Sequence, residues 1–538
     1  MRRISRRTFN RMAAAAGALT VLPFGNASSQ VRFGSPPFQL GVASGDPSAD
    51  GFVIWTRLAP EPFDPAYLGQ TIFEVSWEVA EDSSFARIAK QGTGWARPHL
   101  AHAVHVEVDG LQPGREYFYR FRIGRYESPT GRALTCPAPD AATAALKFAF
   151  ASCAHYEQGF FSAYRYMADD RPDLILFLGD YIYEDAWGDR RVRQFEPIEA
   201  ITLDDYRRRY TQYRTDPDLQ AAHATCPWLV TWDDHEVDND YVSLTSEHEL
   251  CGGEAVRQSF PARRAAAYQA WFEHMPVRPS RLRPDMGVQI YGSMDWGTLA
   301  RFYVLDTRQY RSLQVCPNLP TVQRCDFEKG RKILFGGAGG GGFIDPAEAS
   351  CKAALADPTR TMLGAEQERW LDDALSGSRA AWNILAQNVM ILTIAEGSAE
   401  SPRHFSDAWA GYPPARERLL ASLLKHKAAN PVVLTGDIHS FWVNEVANAA
   451  GRAVAVELVT SSIATTTYDK SAVLPLNPGA KFHDGLHNGY MRCELDRDKL
   501  RTDVVAIDQR EDPRSGRNIL ATFEVQSGEP RVHPVPAG

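Results

Sequence analysis

The sequence predicts an α/β protein with two domains, a small β-sandwich followed by a larger layered domain whose sheets are flanked by helices. Residues from about Phe38 to Leu134 contain short runs that alternate apolar and polar side chains, as half-buried strands do. After a Pro- and Ala-rich linker, compact apolar runs alternate with longer helical segments, which favours a sheet covered on both faces. A chain of 538 residues also exceeds what one hydrophobic core usually supports. We therefore expect the sandwich at 30–140 and the α/β domain at 145–525.

The first 27 residues have the features of an export signal. Five arginines precede the weakly apolar run Met12–Leu22, and small residues follow at Gly25–Ala27. Ser5–Arg11 reads SRRTFNR, which resembles the twin-arginine signal recognised by the machinery that exports folded proteins. The apolar run is too short to span a bilayer, and no later segment is apolar enough to be transmembrane. We expect 1–27 to be removed and the mature protein to be periplasmic or secreted.

The predicted β-sandwich begins after this segment. Its strand-like runs are Phe52–Arg57, Thr71–Val79, His105–Val108 and Glu116–Ile123. From Leu111 the sequence reads LQPGREYFYRFRIG, in which a Pro-Gly turn precedes an aromatic alternating strand. The same order occurs at the tyrosine corner of fibronectin-like and immunoglobulin-like sandwiches, so we expect a fold of that type.

The second domain is predicted from seven apolar runs. They are KFAFASC from Lys147, DLILFLGD from Asp173, WLVTWDDHE from Trp228, ARFYVLDTR from Ala300, WNILAQNVMIL from Trp382, NPVVLTGDIH from Asn430 and AVAVELVTSS from Ala453. Strands that are apolar along their whole length are typical of sheets buried on both faces. The runs therefore predict the layered α/β part of the fold.

Charge and cysteine content narrow the possible functions. The formal net charge is −8, and loss of the signal segment would remove five arginines and no acid. So acidic a chain is not expected to bind the nucleic-acid backbone, which requires clustered Lys and Arg. Eight cysteines in a protein bound for an oxidising compartment predict disulfides, with Cys316 and Cys325 as the first pair to consider. The sequence does not fix the pairing.

Several of the apolar runs deliver metal-binding side chains at their carboxyl ends. The first run gives Cys153, the second Asp180 and the third Asp233–His235. A later run gives Asp437 and His439. Ligand sites in layered α/β proteins lie at the carboxyl ends of strands, so these residues are expected to meet although they are distant in sequence.

Each residue alone also has an ordinary structural explanation. Cys153 would serve as a small buried apolar side chain, Asp180 as a helix cap and Tyr183 as a packing aromatic. The charged residues of WDDHE could form a solvated turn, although such a turn rarely has a hydrophobic strand that leads directly into two acids and a histidine. Glu184 and Glu236 are candidates for supporting positions. The repetition of the pattern at several strand ends favours a metal site.

Four motifs carry a resemblance to a known family. They are SCAHYEQG at 152–159, GDYIYE at 179–184, TWDDHEVDND at 231–240 and GDIHSFW at 436–442. Together they resemble the calcineurin-like metallophosphatase superfamily, and more closely its PhoD-like, or alkaline phosphatase D, branch. Cys153 near the first ligand position and Tyr183 beside Asp180 mark that branch. Asp234 in place of a bridging Asn marks it as well. GVASGDP, WTRL, LDTRQYR and DAWAGYPPARERL extend the likeness over essentially the whole chain after the signal.

The resemblance implies a layered β-sandwich of the metallophosphatase type and a site that holds one iron(III) and calcium. The iron ligands it implies are Cys153, Asp180, Tyr183 and His439. The residues it implies at Ca²⁺ or between the metals are Asp234 and Asp437, with Asn239 and Asp240 as extensions of the calcium shell. Thiolate and phenolate are strongly donating anions that suit Fe³⁺, whereas Ca²⁺ prefers carboxylate and carbonyl oxygens.

The implied function is hydrolysis of phosphate mono- and diesters at alkaline pH, for phosphate scavenging. A metal-bound hydroxide would attack phosphorus, and the catalytic candidates are His235, Asp234 and Arg308. His235 would steady the phosphoryl group or protonate the leaving alkoxide, unless it is only a structural hydrogen bonder. Arg308 would contact phosphate or form an ion pair under the site.

Two other functions stay open at this point. The same branch is expected to include phospholipase D-like phosphodiesterases, and the sequence contains no feature that separates the two activities. A non-catalytic alternative is that the β-sandwich binds a cell-surface polymer and the second domain is a degenerate scaffold. The complete set of metal-type residues argues against that alternative.

Overall fold

The structure is a computed structural model. It describes residues 31–188, 191–246, 249–283, 287–315, 342–344 and 349–536. The predicted signal at 1–27 and the predicted pair Cys316 and Cys325 lie outside these residues. Cys351 is disulfide-bonded. Within the described ranges, no helix combines the length and the apolar character needed to cross a membrane.

The helices and strands are numbered here in chain order. The helices are α1 (Ser162–Asp169), α2 (Leu203–Arg214), α3 (Pro217–Thr225), α4 (Glu249–His274), α5 (Ala349–Leu355), α6 (Gly364–Ser376) and α7 (Pro413–Lys425). The strands are β1 (Val42–Ser48), β2 (Gly51–Arg57), β3 (Phe73–Ala80), β4 (Ile88–Ala96), β5 (Ala103–Val108), β6 (Glu116–Ile123), β7 (Tyr126–Glu127), β8 (Gly131–Leu134), β9 (Ala145–Ala151), β10 (Leu174–Leu178), β11 (Pro227–Thr231), β12 (Gly292–Trp296), β13 (Ala300–Val304), β14 (Phe343–Ile344), β15 (Trp382–Ala386), β16 (Glu396–Gly397), β17 (Pro402–Phe405), β18 (Pro431–Thr435), β19 (Phe441–Ala447), β20 (Ala453–Val459), β21 (Ala480–Asp484), β22 (Asn488–Asp496), β23 (Lys499–Ile507), β24 (Arg517–Gln526) and β25 (His533–Val535).

Two large sheets face each other. The first has the order β25-β24-β23-β22-β9-β10-β11-β1-β2-β5, and its central strands β9, β10, β11 and β1 are parallel. The second has the order β12-β13-β15-β18-β20-β19-β21, with β13, β15, β18 and β20 parallel. Apolar side chains from both inner faces form one core, among them Phe148, Leu176 and Leu229 from the first sheet and Phe302, Ile384, Leu434 and Val456 from the second.

Helices cover the outer faces of the two sheets. Helices α1 to α4 pack on the first sheet through a core that includes Tyr164, Tyr210, Leu219 and Trp271. Helices α6 and α7 pack on the second through Leu371, Leu375, Leu419 and Leu423. β10 and β11 are buried at every residue, as their unbroken apolar sequences require. The fold is therefore the predicted layered β-sandwich flanked by helices.

The N-terminal region is also a β-sandwich, but one of its sheets belongs to the larger sheet. Strands β3, β4, β6, β7 and β8 form a five-stranded sheet that packs against β1, β2 and β5. The hydroxyl of Tyr117 accepts a hydrogen bond from the N–H of Gln112 at 3.0 Å, as in a tyrosine corner. β1 pairs in parallel with β11, with Gly45 opposite Trp228. The sequence did not predict this continuity between the two domains.

Gly45 permits the close contact of β1 with β11. A β-carbon at this position would lie 2.8 Å from the carbonyl oxygen of Trp228 and against the carbonyl oxygen of Pro276. Both obstacles are backbone atoms, which cannot rotate away as the end of a side chain can. The absence of a side chain at Gly45 is therefore a condition for joining the N-terminal strands to the larger sheet.

We predict that Gly45→Ala lowers the free energy of unfolding by about 1–3 kcal/mol, because the added methyl group forces β1 away from β11. Urea denaturation of the variant and the wild type measures the difference. Gly292→Ala in β12 is the control, since nothing lies within 4 Å of a β-carbon built there. Equal stabilities for Gly45→Ala and the wild type would contradict the prediction.

Candidate metal centre and active site

The predicted metal ligands follow four strands that end at one edge of the paired sheets. Cys153 follows β9, Asp180 follows β10 and Asp234 follows β11, which are neighbouring parallel strands of the first sheet. Asp437 and His439 follow β18 of the facing sheet. The two sheets therefore bring these residues to a common edge from opposite sides.

Sharp backbone turns place these side chains immediately after their strands. Four of the residues have left-handed φ angles, which are 60° at Cys153, 55° at Asp180, 65° at Asp437 and 53° at His439. Residues with a β-carbon adopt this conformation only where surrounding contacts impose it, and it is concentrated at functional sites. One such contact is the hydrogen bond from the N–H of Cys153 to the carbonyl oxygen of Gly179, at 3.1 Å.

The side chains form one continuous cluster. Three groups have ligand atoms within 4.8 Å of one another, namely Cys153 with Asp180 and His439, Asp180 with Asp234 and His235, and Asp233 with Asp234 and Asp437. Asp180 and Asp234 each belong to two groups, so the groups are joined. The hydroxyl of Tyr183 lies 3.1 Å from Asp180 Oδ2 and 3.0 Å from His439 Nε2. All six side chains predicted as metal ligands thus lie together.

Burial favours the uncharged form of five of these six side chains, and Asp234, beside Arg308, is the exception. Desolvation raises the pKa of four groups well above their ordinary values: Cys153, Asp180, Tyr183 and Asp437. It lowers the pKa of His439 to about 3, so the imidazole is neutral. A bound cation stabilises the anionic forms and so offsets the unfavourable free energy of their burial. A thiol, a phenol, an imidazole and carboxylates buried together therefore fit a metal centre.

Two glutamates behind the cluster hold its parts in place. The carboxylate of Glu236 accepts hydrogen bonds from three backbone N–H groups, those of Asp180 at 3.0 Å, Tyr181 at 2.7 Å and Asp233 at 2.9 Å. It therefore ties the end of β10 to the end of β11. The carboxylate of Glu184 accepts from the N–H of Asn239 at 2.8 Å and lies 2.7 Å from His235 Nδ1.

His235 is held beside the cluster by its partner and by an aromatic ring. Its ring centroid lies 4.1 Å from that of Tyr183. Burial acts to lower the pKa of His235, but the charges of Glu184 and Asp234 outweigh it and raise the pKa well above the ordinary value. This position suits a group that holds a proton at the edge of the cluster.

Arg308 lies beneath the carboxylates and is fully buried. Its guanidinium forms ion pairs with Asp233, with Asp407 at 2.8 Å and with Asp234 at 3.4 Å, and it lies 3.8 Å from Asp437. Burial acts to raise the pKa of Asp234, but Arg308 and His235 outweigh it and the pKa is lowered. Of the two roles left open by the sequence, this geometry favours the ion pair under the site.

Sequence reasoning missed several residues that shape the site. The amide of Asn388 donates to the carbonyl oxygens of Leu178 and Trp232, both at 2.8 Å, and so joins the ends of β10 and β11. The rings of Trp187 and Tyr468 lie nearly parallel to His439, with centroids 6.2 Å and 5.7 Å away. The sequence carries no periodic signal for these residues. Asp407 is different, because its DAWAGYPPARERL segment matched the family without an assigned role.

The comparisons with known proteins agree on one family. A sequence model described as PhoD-like phosphatase matches residues 148–504, and one described as PhoD-like phosphatase, N-terminal domain, matches 25–137. Alkaline phosphatase D of Bacillus subtilis (strain 168) is 40% identical over 513 residues, which cover 93% of this chain and 82% of the relative. A solved structure described as "Structure of PhoD" has a TM-score of 0.85 and 39% identity, and covers 94% of each chain. This chain belongs to the PhoD-like phosphatase family.

Proposed function

We propose that this protein is an exported, metal-dependent alkaline phosphatase that hydrolyses phosphate mono- and diesters for phosphate scavenging. The observation that carries the proposal is the convergence of six donor side chains at one edge of the two sheets: Cys153, Asp180, Tyr183, Asp234, Asp437 and His439. The B. subtilis relative named alkaline phosphatase D supports the assignment of the reaction.

The donor types divide the cluster into two parts. Cys153, Tyr183 and His439 lie on the side that would hold Fe³⁺, because thiolate and phenolate suit that ion. Asp234 and Asp437 lie on the side that would hold Ca²⁺, an ion that prefers carboxylate oxygens. Asp180 has contacts to both sides. When bound, such cations neutralise charge on phosphoryl oxygens and make a water more acidic.

The protein residues contribute orientation and a proton. His235 would donate its proton to the oxygen of the leaving alcohol, and Glu184, 2.7 Å from its Nδ1, would orient the imidazole. Both carboxylate oxygens of Asp234 are also restrained. Oδ2 accepts from the N–H of Asp240 at 2.6 Å, and Oδ1 lies 3.4 Å from the Arg308 guanidinium. A carboxylate restrained on both oxygens retains its position when substrate enters.

Export through the twin-arginine route is part of the proposal. A protein that folds before export can acquire iron in the cytoplasm, before exposure to a compartment with competing ions. We predict that the double variant Arg6→Lys/Arg7→Lys accumulates in the cytoplasm as precursor, which fractionation of producing cells measures. Arg2→Lys/Arg3→Lys, outside the SRRTFNR string, is the control. Normal export of the first variant would exclude this route.

Tyr183 tests the assignment of iron(III). Coordination of Fe³⁺ by a phenolate and a thiolate produces absorption in the visible range, so we expect coloured wild-type protein and a changed visible spectrum in Tyr183→Phe. Activity of this variant is expected to fall at least about tenfold, as for loss of other metal-site partners. Absorption spectra and metal content of the purified proteins are the measurements.

Tyr181→Phe provides a matched control for this experiment. Tyr181 is a buried phenol two positions away, and its hydroxyl is hydrogen-bonded to His223 at 2.9 Å. The control should therefore retain the visible band. Colourless metal-replete protein, together with full activity in Tyr183→Phe and Cys153→Ala, would refute the iron assignment.

His235 is tested with a panel of substrates. The wild type should hydrolyse p-nitrophenyl phosphate, the diester bis(p-nitrophenyl) phosphate and glycerol phosphate. It should lose these activities when metals are removed by chelation. His235→Gln should reduce kcat about 100-fold or more for glycerol phosphate, whose alkoxide leaving group needs a proton. The loss should be smaller for p-nitrophenyl phosphate, whose leaving group is stable as an anion. Steady-state kinetics on each substrate measure the difference.

The same panel separates the other functions. Equal losses on both monoesters would assign His235 to binding the phosphoryl group instead of proton donation. Faster hydrolysis of phosphatidylcholine than of the small esters would replace the phosphatase proposal with a phospholipase D-like activity. Purified protein with no metal and no activity on any ester would favour the non-catalytic alternative.

A further inference from the structure

Asp407 lies between two buried arginines behind the site. It is in the loop between β17 and α7 and is 0% exposed. Its carboxylate forms ion pairs with Arg308, at 2.8 Å, and with Arg311. The carbonyl oxygen of Asp407 also accepts a hydrogen bond from Arg311 at 2.9 Å. Asp407 therefore provides a buried negative charge shared by two guanidinium groups.

Two chains of contacts lead from Asp407 to Asp234. The first runs through Arg308, which contacts Asp407 with one nitrogen and lies 3.4 Å from Asp234 with another. The second runs through Gln314, whose amide donates to Asp407 at 2.7 Å and to the carbonyl oxygen of Asp240 at 3.1 Å. The N–H of Asp240 donates to Asp234 at 2.6 Å. One carboxylate behind the site is thus connected to both oxygens of Asp234.

The positive charge of Arg308 acts against cation binding at the neighbouring carboxylates. The guanidinium lies 3.4 Å from Asp234 and 3.8 Å from Asp437, the carboxylates that would face Ca²⁺. A fixed positive charge at this distance attracts those carboxylates and repels a divalent ion. A negative charge paired with Arg308 offsets both effects. Asp407 supplies such a charge, 2.8 Å from another nitrogen of the same guanidinium.

We propose that Asp407 is a positioning residue that sets the affinity of the Asp234 and Asp437 side of the site for a divalent cation. It does so by holding Arg308 beneath the carboxylates and by balancing the charges of Arg308 and Arg311. The inference rests on the proposed function, in which this side binds Ca²⁺. The proposal assigns a role to the DAWAGYPPARERL segment. Its first residue, Asp407, pairs with Arg308 of the LDTRQYR segment.

Charge-changing variants test the proposal with calcium as the probe. Protein purified with its metals is treated with a calcium-selective chelator, dialysed and titrated with CaCl₂ by calorimetry. Asp407→Asn should bind Ca²⁺ about tenfold more weakly, because one buried negative charge near a divalent ion is lost. Arg311→Gln should shift the affinity in the opposite direction. The double variant Asp407→Asn/Arg311→Gln should return toward the Ca²⁺ affinity of the wild type, since it restores the charge balance.

The double variant also keeps the test informative if Asp407→Asn folds poorly. Removal of one partner of a buried ion pair leaves an unpaired charge, whereas removal of both is tolerated better. Glu457→Gln is the control for loss of a buried carboxylate, because Glu457 is fully buried in β20 and is hydrogen-bonded to Ile391, Leu392 and Asn444. It should bind Ca²⁺ as the wild type does.

The outcomes separate this inference from the proposed function. Unchanged Ca²⁺ affinity in Asp407→Asn, or shifts of the same sign in Asp407→Asn and Arg311→Gln, would overturn the inference alone. Wild-type protein that binds no Ca²⁺ would overturn the calcium assignment as well. The visible absorption assigned to Cys153 and Tyr183 should persist in Asp407→Asn, and its loss would indicate general disruption of the site in place of the proposed charge effect.

Discussion

The site depends on the placement of many acidic groups in one desolvated region. Carboxylates at the ends of β10, β11 and β18 lie within a few ångströms of one another, together with a thiol and a phenol. Such a cluster is unfavourable unless positive charge or hydrogen-bond donors compensate it. The guanidinium of Arg308 offsets the charge of Asp233 and Asp234 through ion pairs. At the strand ends, backbone N–H groups donate hydrogen bonds to the carboxylate of Glu236. In the proposed function, bound cations would supply the remaining compensation.

Much of this arrangement could be predicted from the sequence, because strands that are buried on both faces are recognisable and metal-type residues follow them directly. Cys153, Asp180 and the WDDHE residues were identified in that way. Their convergence required only that adjacent parallel strands end at the same edge. The proposed roles of Tyr183 and the proposed division between iron and calcium come from the family resemblance, since no periodicity distinguishes a ligand tyrosine from a packing one.

The remaining features depend on contacts between distant segments. The sequence does not show that β1 pairs with β11, because the pairing depends on the lack of a side chain at Gly45 and on the register of another strand. It does not show that Asp407 pairs with Arg308 across 99 positions of sequence, or that Asn388 bridges the ends of β10 and β11. Buried polar residues of this kind have no sequence period, and their partners are known only when the chain is folded.

The continuity of the larger sheet gives the N-terminal sandwich a physical connection to the site. β11, which leads into Asp233 and Asp234, has β10 on one side and β1 on the other, so it is not an edge strand. Trp55 on β2 donates a hydrogen bond to the carbonyl oxygen of Glu273 at 2.9 Å, which fixes the N-terminal strands to α4. A strand paired on both sides and covered by a helix has little freedom to shift its end. Since the metal-type carboxylates must keep their spacing, the N-terminal domain supports the site even though its own strands supply none of the clustered side chains among the described residues.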